Sequence, residues 1–126
     1  MDWINQSISA FGASLGLPRL SLDNEGTARL RTGSGGAIEI HHLVQEHGND
    51  VLLLWSEPAP YDAAQRVRTA LKLADLRLAP GLPLQVAVFD GQLVLASRMD
   101  ERSVSQPVLE ERMDWLRRVH ERLQQA

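Results

Sequence analysis

The first apolar pattern in the chain is a stripe at helical spacing close to the N-terminus. The stripe consists of Ile4, Ile8, Phe11 and Leu15. Separations of four, three and four positions place these side chains on one face of a helix and predict a helix over residues 2–15. Gly16 and Pro18 then supply a stop signal. Trp3 lies off the stripe, either at a frayed end or on a second apolar surface.

A series of short alternating segments follows, separated by turn-forming residues. The predicted strands are residues 20–22, 27–31, 37–42 and 51–55. In the third, Ile38 and Ile40 share one face, while Glu39 and His41 share the other. The last segment is apolar on both faces, so we expect a central strand that is covered on both sides. The spacing indicates an antiparallel meander.

A second predicted helix spans residues 61 to about 74, after two prolines. Its apolar face comprises Ala63, Ala64, Val67, Ala70, Leu71 and Ala74. Alanines allow another backbone to approach closely, and Leu73 and Leu76 lie off this face. A helix that is apolar on more than one side is usually buried on more than one side, which suggests a partner subunit.

The C-terminal third combines a hairpin with a long helix. Asp90-Gly91 separates two apolar segments, residues 84–89 and 92–96, and is a strong hairpin signal. A helix from Gln106 to about Gln124 carries the stripe Leu109, Met113, Leu116, His120 and Leu123. The predicted order is α-βββ-α-ββ-α, with residues 20–22 as an additional short strand. This order defines an α+β fold, an antiparallel sheet flanked by three helices, in a single domain over residues 1–126.

Composition narrows the functional classes. The 126 residues carry a formal net charge of −3, which argues against a nucleic-acid-binding protein. Without cysteine, thiolate metal sites and thiol nucleophiles are excluded. No signal peptide is visible, and the apolar runs are far shorter than the roughly 20 residues of a membrane helix. We therefore expect a soluble cytoplasmic protein.

The sequence offers little catalytic chemistry. The richest group of potential metal ligands is Glu39, His41, His42, Glu46 and His47. On a strand, His41 and His42 point to opposite faces, so a polar strand face and a solvated turn are the better interpretation. The glycine-rich segment 33–36 precedes a strand and has no nearby lysine, which favours a hairpin turn over a phosphate loop. His120 lies within an apolar stripe, as a core or interface residue would. We therefore predict no catalytic residues, no metal site and no cofactor.

Residues 11–30 carry a family resemblance. Leu15-Gly16-Leu17 ends the first helix, Leu20-Ser21-Leu22-Asp23 follows, and Gly26 forms a turn before the next strand. In this stretch, and in length, charge and element order, the chain resembles the class I chaperones of bacterial type III secretion, the Tir chaperone family.

The resemblance implies a bacterial, cytoplasmic, non-catalytic homodimer associated with virulence. It would bind the N-terminal region of a secreted effector and keep that region competent for secretion. Trp3 and Ile4 are the candidate effector contacts. The second helix would form the dimer interface through Ala63, Val67, Ala70, Leu71 and Ala74. A ligand-binding or sensory module, or a structural subunit of a larger assembly, is the alternative for a small α+β domain.

Overall fold

The computed structural model describes residues 2–17, 19–46, 48–59 and 85–125, together with residues 62, 65 and 68. Two helices and five strands lie within these residues. The strands are β1 (Thr27–Arg31), β2 (Ala37–Leu43), β3 (Asp50–Pro58), β4 (Gln85–Phe89) and β5 (Gln92–Asp100). The helices are α1 (Asp2–Ser14) and α2 (Gln106–Gln125), and a 3-10 turn (Glu101–Ser103) precedes α2. The second predicted helix lies almost entirely outside the described residues.

The strands form one antiparallel sheet in the order β1-β2-β3-β5-β4. The predicted meander is confirmed for β1, β2 and β3, and β3 is central as expected. The segment 51–55 was predicted to be covered on both sides, and the described residues test this for one side only. Val51 and Leu53 are buried in the core, and Leu52 and Leu54 on the opposite face are half-buried.

Both helices pack against the same face of the sheet and form one core with it. Ile4, Ile8 and Phe11 of α1 are buried in that core. The predicted stripe of α2 is confirmed, because Leu109, Met113, Leu116, His120 and Leu123 are all buried. Among the described helices, none is long and apolar enough to span a membrane.

The end of α1 departs from the prediction at one residue. Leu15 was expected in the buried stripe but is 51% exposed, because the helix ends at Ser14. The backbone N–H of Leu17 donates to the carbonyl of Gly12, and that of Gly16 donates to Ala13. Gly16 has a φ of 78°, so the helix ends in a Schellman motif that turns Leu15 away from the core.

Residues 20–22 do not form the predicted strand. Their backbone groups bond to side chains of α1 instead of to a neighbouring strand. The carbonyl of Leu20 accepts a hydrogen bond from Ser9 Oγ at 3.2 Å, and the N–H of Leu22 donates to Asn5 Oδ1 at 3.0 Å. These two hydrogen bonds therefore hold the backbone of this segment against α1.

The predicted Asp90-Gly91 hairpin is confirmed. Asp90 and Gly91 have φ values of 52° and 74°. Positive φ at both central residues defines a type I′ turn, whose twist matches that of the flanking strands. The turn places β4 at one edge of the sheet, opposite β1.

Candidate partner-binding surfaces

The two candidate effector contacts lie in different environments. Trp3 is 38% exposed in the first turn of α1, whereas Ile4 is fully buried in the core. Trp3 is therefore available to a partner, and Ile4 contributes to the stability of the protomer. The candidate dimer contacts Ala63, Val67, Ala70, Leu71 and Ala74 lie outside the described residues.

A groove of about 600 Å³ lies between the end of α1 and strand β1. We name it the α1–β1 groove; its lining residues are Gly16, Leu17, Arg19, Leu20, Arg29, Leu30 and Arg31. Leu17 is 39% exposed here because the Schellman turn directs it outward. Strand β1 is an edge strand, since within the described sheet it pairs only with β2. An unpaired strand edge and an apolar floor thus lie side by side.

The rim of the α1–β1 groove is cationic. Arg29 Nε lies 3.4 Å from Glu39 Oε2, a solvent-exposed ion pair. Within the described part of the chain, Arg19 and Arg31 have no carboxylate within 4.0 Å. The chain as a whole has a net charge of −3, so these arginines form a positively charged surface on a negatively charged protein. This surface favours a partner segment that carries acidic side chains.

A second groove of about 370 Å³ lies between α1 and α2. Its apolar wall includes Phe11, Leu15, Ile38 and Met113. The exposure of Leu15, which the helical spacing did not predict, places this leucine at the mouth. Together with Leu17 on the other side of the turn, it makes the end of α1 an apolar ridge between two grooves.

A third pocket, of about 500 Å³, lies at the Pro58 end of β3 beside α2. We name it the His120 pocket; its lining residues are Ser34, Trp55, Glu57, Pro58, Arg117, His120 and Glu121. The His120 ring packs against that of Trp55, with centroids 5.7 Å apart. His120 Nε2 donates to the Trp55 carbonyl oxygen at 2.7 Å. Burial lowers the pKa of His120, although the nearby Glu57 charge opposes that shift.

The carboxylate of Glu57 is the buried acid of this pocket. Trp55 Nε1 donates to Glu57 Oε2 at 2.7 Å. Ser34 Oγ and Thr32 Oγ1 donate to Oε1. Gly36 makes this approach possible, since a Cβ there would lie 2.6 Å from Glu57 Oε1 and 2.0 Å from the Ser56 carbonyl oxygen. The glycine-rich loop is the predicted hairpin turn, and it also supplies a hydroxyl to a buried acid.

The histidines of β2 do separate to opposite faces, as the strand geometry predicts. His41 lies on the half-buried face, 2.7 Å from Glu39 Oε1. His42 lies on the core face, with Nε2 3.1 Å from Glu101 Oε2. Hydrogen bonds from His42 and then Asn49 hold the pKa of Glu101 below its usual value. His47 lies outside the described residues, among which no three His, Asp or Glu side chains form a group suited to a metal ion.

The chain belongs to the type III secretory system chaperone SycN family, whose sequence model matches residues 3–124. It is thus a type III secretion chaperone by family, as the resemblance predicted. No curated protein matches the chain in sequence.

Solved structures of chaperone complexes share the fold. A chain of the HopA1–SchA chaperone–effector complex is 20% identical, with 97% of this chain and 94% of that chain covered and a TM-score of 0.68. A chain of the heterodimeric ExoU–SpcU complex from the type III secretion system of Pseudomonas aeruginosa is 25% identical, with 92% and 93% covered and a TM-score of 0.62. A chain of the ExsC–ExsE complex is 19% identical, with 92% and 87% covered and a TM-score of 0.67.

Proposed function

We propose that this protein is a cytoplasmic, non-catalytic, homodimeric chaperone for the N-terminal region of a type III secreted effector. It would hold that region partly extended and competent for secretion. Family membership supports the class of partner. The unpaired edge of β1 beside the α1–β1 groove is the observation that supports a mode of binding.

In this mode, an extended effector segment pairs with β1 and continues the sheet. Main-chain hydrogen bonds would supply affinity, and alternate side chains would reach the apolar floor near Leu17 and Leu30. Acidic side chains of the segment would face Arg19 and Arg31. Trp3, at the other end of α1, would contact a separate part of the same client.

The homodimer is proposed through Ala63, Val67, Ala70, Leu71 and Ala74. Small side chains at helical spacing suit a self-complementary contact around a two-fold axis. Sedimentation of the Leu71→Asp variant tests this assignment. A folded variant that dimerises with unchanged affinity would show that the interface lies elsewhere.

If the protein were a sensory or ligand-binding module, we would expect a pocket with converging polar groups. The His120 pocket has such groups. Family membership nevertheless favours the chaperone over this alternative and over a structural subunit. In a chaperone, the same polar groups can recognise a side chain of the client.

The α1–β1 groove is tested by a matched pair of surface substitutions. Leu17→Asp places a charge beside the groove, whereas Val44→Asp places one on an apolar residue that is 75% exposed after β2. We expect Leu17→Asp to weaken binding of a co-purified client at least about tenfold, because one buried leucine contributes about 1.5–3 kcal/mol. Val44→Asp should leave the affinity unchanged. Equal effects of the two substitutions would remove the groove from the proposed binding surface.

A further inference from the structure

Among the described residues, a buried carboxylate of the His120 pocket has no cationic partner. Glu57 is only 8% exposed, and its hydrogen-bond donors in this part of the chain are the neutral groups of Trp55, Ser34 and Thr32. Within the described residues, no Arg or His nitrogen lies within 4.0 Å of it. Buried charges in proteins are usually paired, so this carboxylate has capacity for a cationic partner.

An unsatisfied acceptor belongs to another residue that lines this pocket. His120 Nδ1 is buried and has no hydrogen-bond partner among the described residues. Because Nε2 donates its hydrogen to the Trp55 carbonyl oxygen, Nδ1 of the neutral ring carries a lone pair. Burial lowers the pKa of His120, which favours this neutral form. His120 Nδ1 therefore lacks a hydrogen-bond donor, and the Glu57 carboxylate, although it has donors, lacks a cation among the described residues.

The pocket walls suit a flat cationic group. Trp55 and Pro58 supply apolar surface, and the cation of Arg117 is already matched by Asp114 at 2.5 Å and Glu121 at 2.7 Å. A water molecule could donate to Nδ1 but would leave the charge of Glu57 uncompensated. A guanidinium has several donors in one plane, stacks on aromatic rings and is more weakly hydrated than an ammonium ion.

We propose that the His120 pocket binds an arginine side chain of the bound effector, through the Glu57 carboxylate and His120 Nδ1. The source of the arginine rests on the proposed function, whereas the pocket's selectivity for a guanidinium does not. This pocket lies apart from the α1–β1 groove, so it would recognise a different part of the client.

The selectivity is tested on the whole protein with N-acetyl-arginine amide and its neutral isostere N-acetyl-citrulline amide. The indole N–H resonance of Trp55 is the reporter, because that group donates directly to Glu57. We expect arginine amide to shift this resonance saturably, with a millimolar Kd. The citrulline compound should bind at least roughly tenfold more weakly than arginine amide. Equal affinities, or no saturable shift up to roughly 100 mM arginine amide, would overturn the proposal.

Two variants assign the effect to the carboxylate. Glu57→Gln should reduce arginine-amide affinity at least about tenfold. Glu111→Gln removes an exposed carboxylate from the same helix as His120, and should have no effect. If Glu57→Gln does not fold, the comparison of the two compounds on the unaltered protein still decides the question.

The source of the arginine is tested in the complex. Each arginine of the co-purified client fragment is replaced by glutamine, and binding is measured to the unaltered chaperone and to Glu57→Gln. One client arginine should lose at least about tenfold affinity with the unaltered chaperone and much less with Glu57→Gln. If every client arginine loses the same affinity with the unaltered chaperone as with Glu57→Gln, the effector is refuted as the source of the arginine. Client binding without guanidinium selectivity would refute the pocket alone, and guanidinium selectivity without any client would refute the proposed function alone.

Discussion

The loop over residues 32–36 gives the most quantitative test of the His120 pocket. Gly36 and Gly33 lie in the same loop, and neither has a positive φ. A Cβ at Gly36 would lie 2.0 Å from the Ser56 carbonyl oxygen and 2.6 Å from Glu57 Oε1, whereas a Cβ at Gly33 meets nothing within 4 Å. The pair Gly36→Ala and Gly33→Ala thus differs in packing but not in chemistry.

The cost of Gly36→Ala has two parts. Forcing a methyl group into a filled space costs about 1–3 kcal/mol. Displacing Glu57 from Ser34 and Thr32 leaves a buried carboxylate short of donors, at a further cost of about 1–3 kcal/mol. We therefore expect a loss of about 2–6 kcal/mol in the free energy of unfolding. Gly33→Ala should be neutral or stabilise by up to about 1 kcal/mol, because it restricts the unfolded chain.

The assay is urea denaturation at one fixed protein concentration, since the stability of a dimer depends on concentration. For a chain of this length, the expected loss corresponds to a melting temperature roughly 10–20 °C lower. If Gly36→Ala and Gly33→Ala agree within about 0.5 kcal/mol, then Glu57 does not occupy the position described here.

Two further changes should alter stability in defined directions. Burial lowers the pKa of His120, so the unfolded state binds more protons as pH falls below about 6.5, and the unfolding free energy should fall with it. Glu57 on β3 and Arg117 and Glu121 on α2 line the same pocket as this ring, so the contribution of His120 is checked with the variant His120→Gln. The difference in unfolding free energy between pH 7.5 and pH 5.5 should be smaller in this variant. An unchanged difference would assign the pH dependence to other groups. Leu116→Ala removes a fully buried side chain from α2 and should cost about 2–5 kcal/mol by urea denaturation, whereas a loss below about 1 kcal/mol would place Leu116 outside the core.

Local sequence signals predicted the elements that depend on local physics. The stripe of α2 and the Asp90-Gly91 turn were correct because helical periodicity and positive φ are properties of neighbouring residues. The strand over residues 20–22 was wrong because the alternation of Leu20 and Leu22 does not reveal which partner takes their backbone hydrogen bonds. Asn5 and Ser9 of α1 take them instead.

The candidate sites depended on contacts distant in sequence. In the sequence, Glu57 follows an apolar strand, a position typical of a solvent-exposed residue at a strand end. Its burial requires that β3 continue to Pro58 and that the loop containing Ser34, 23 positions earlier, fold over it. Two parts of the His120 pocket gave a sequence signal: His120, as a histidine within an apolar stripe, and the loop containing Ser34, as a predicted hairpin turn. The exposure of Leu17 in the α1–β1 groove, and that of Leu15 in the groove between α1 and α2, likewise depend on where α1 ends.

The most direct test of the proposed function is co-expression with proteins encoded beside this one, followed by purification and light scattering. We predict a complex of two copies of this chain with one N-terminal fragment of a larger protein. The chaperone should protect from proteolysis only the segment of the fragment that it binds, because in this account the client is held extended. A monomer that recovers no protein would contradict both the homodimer and the chaperone function.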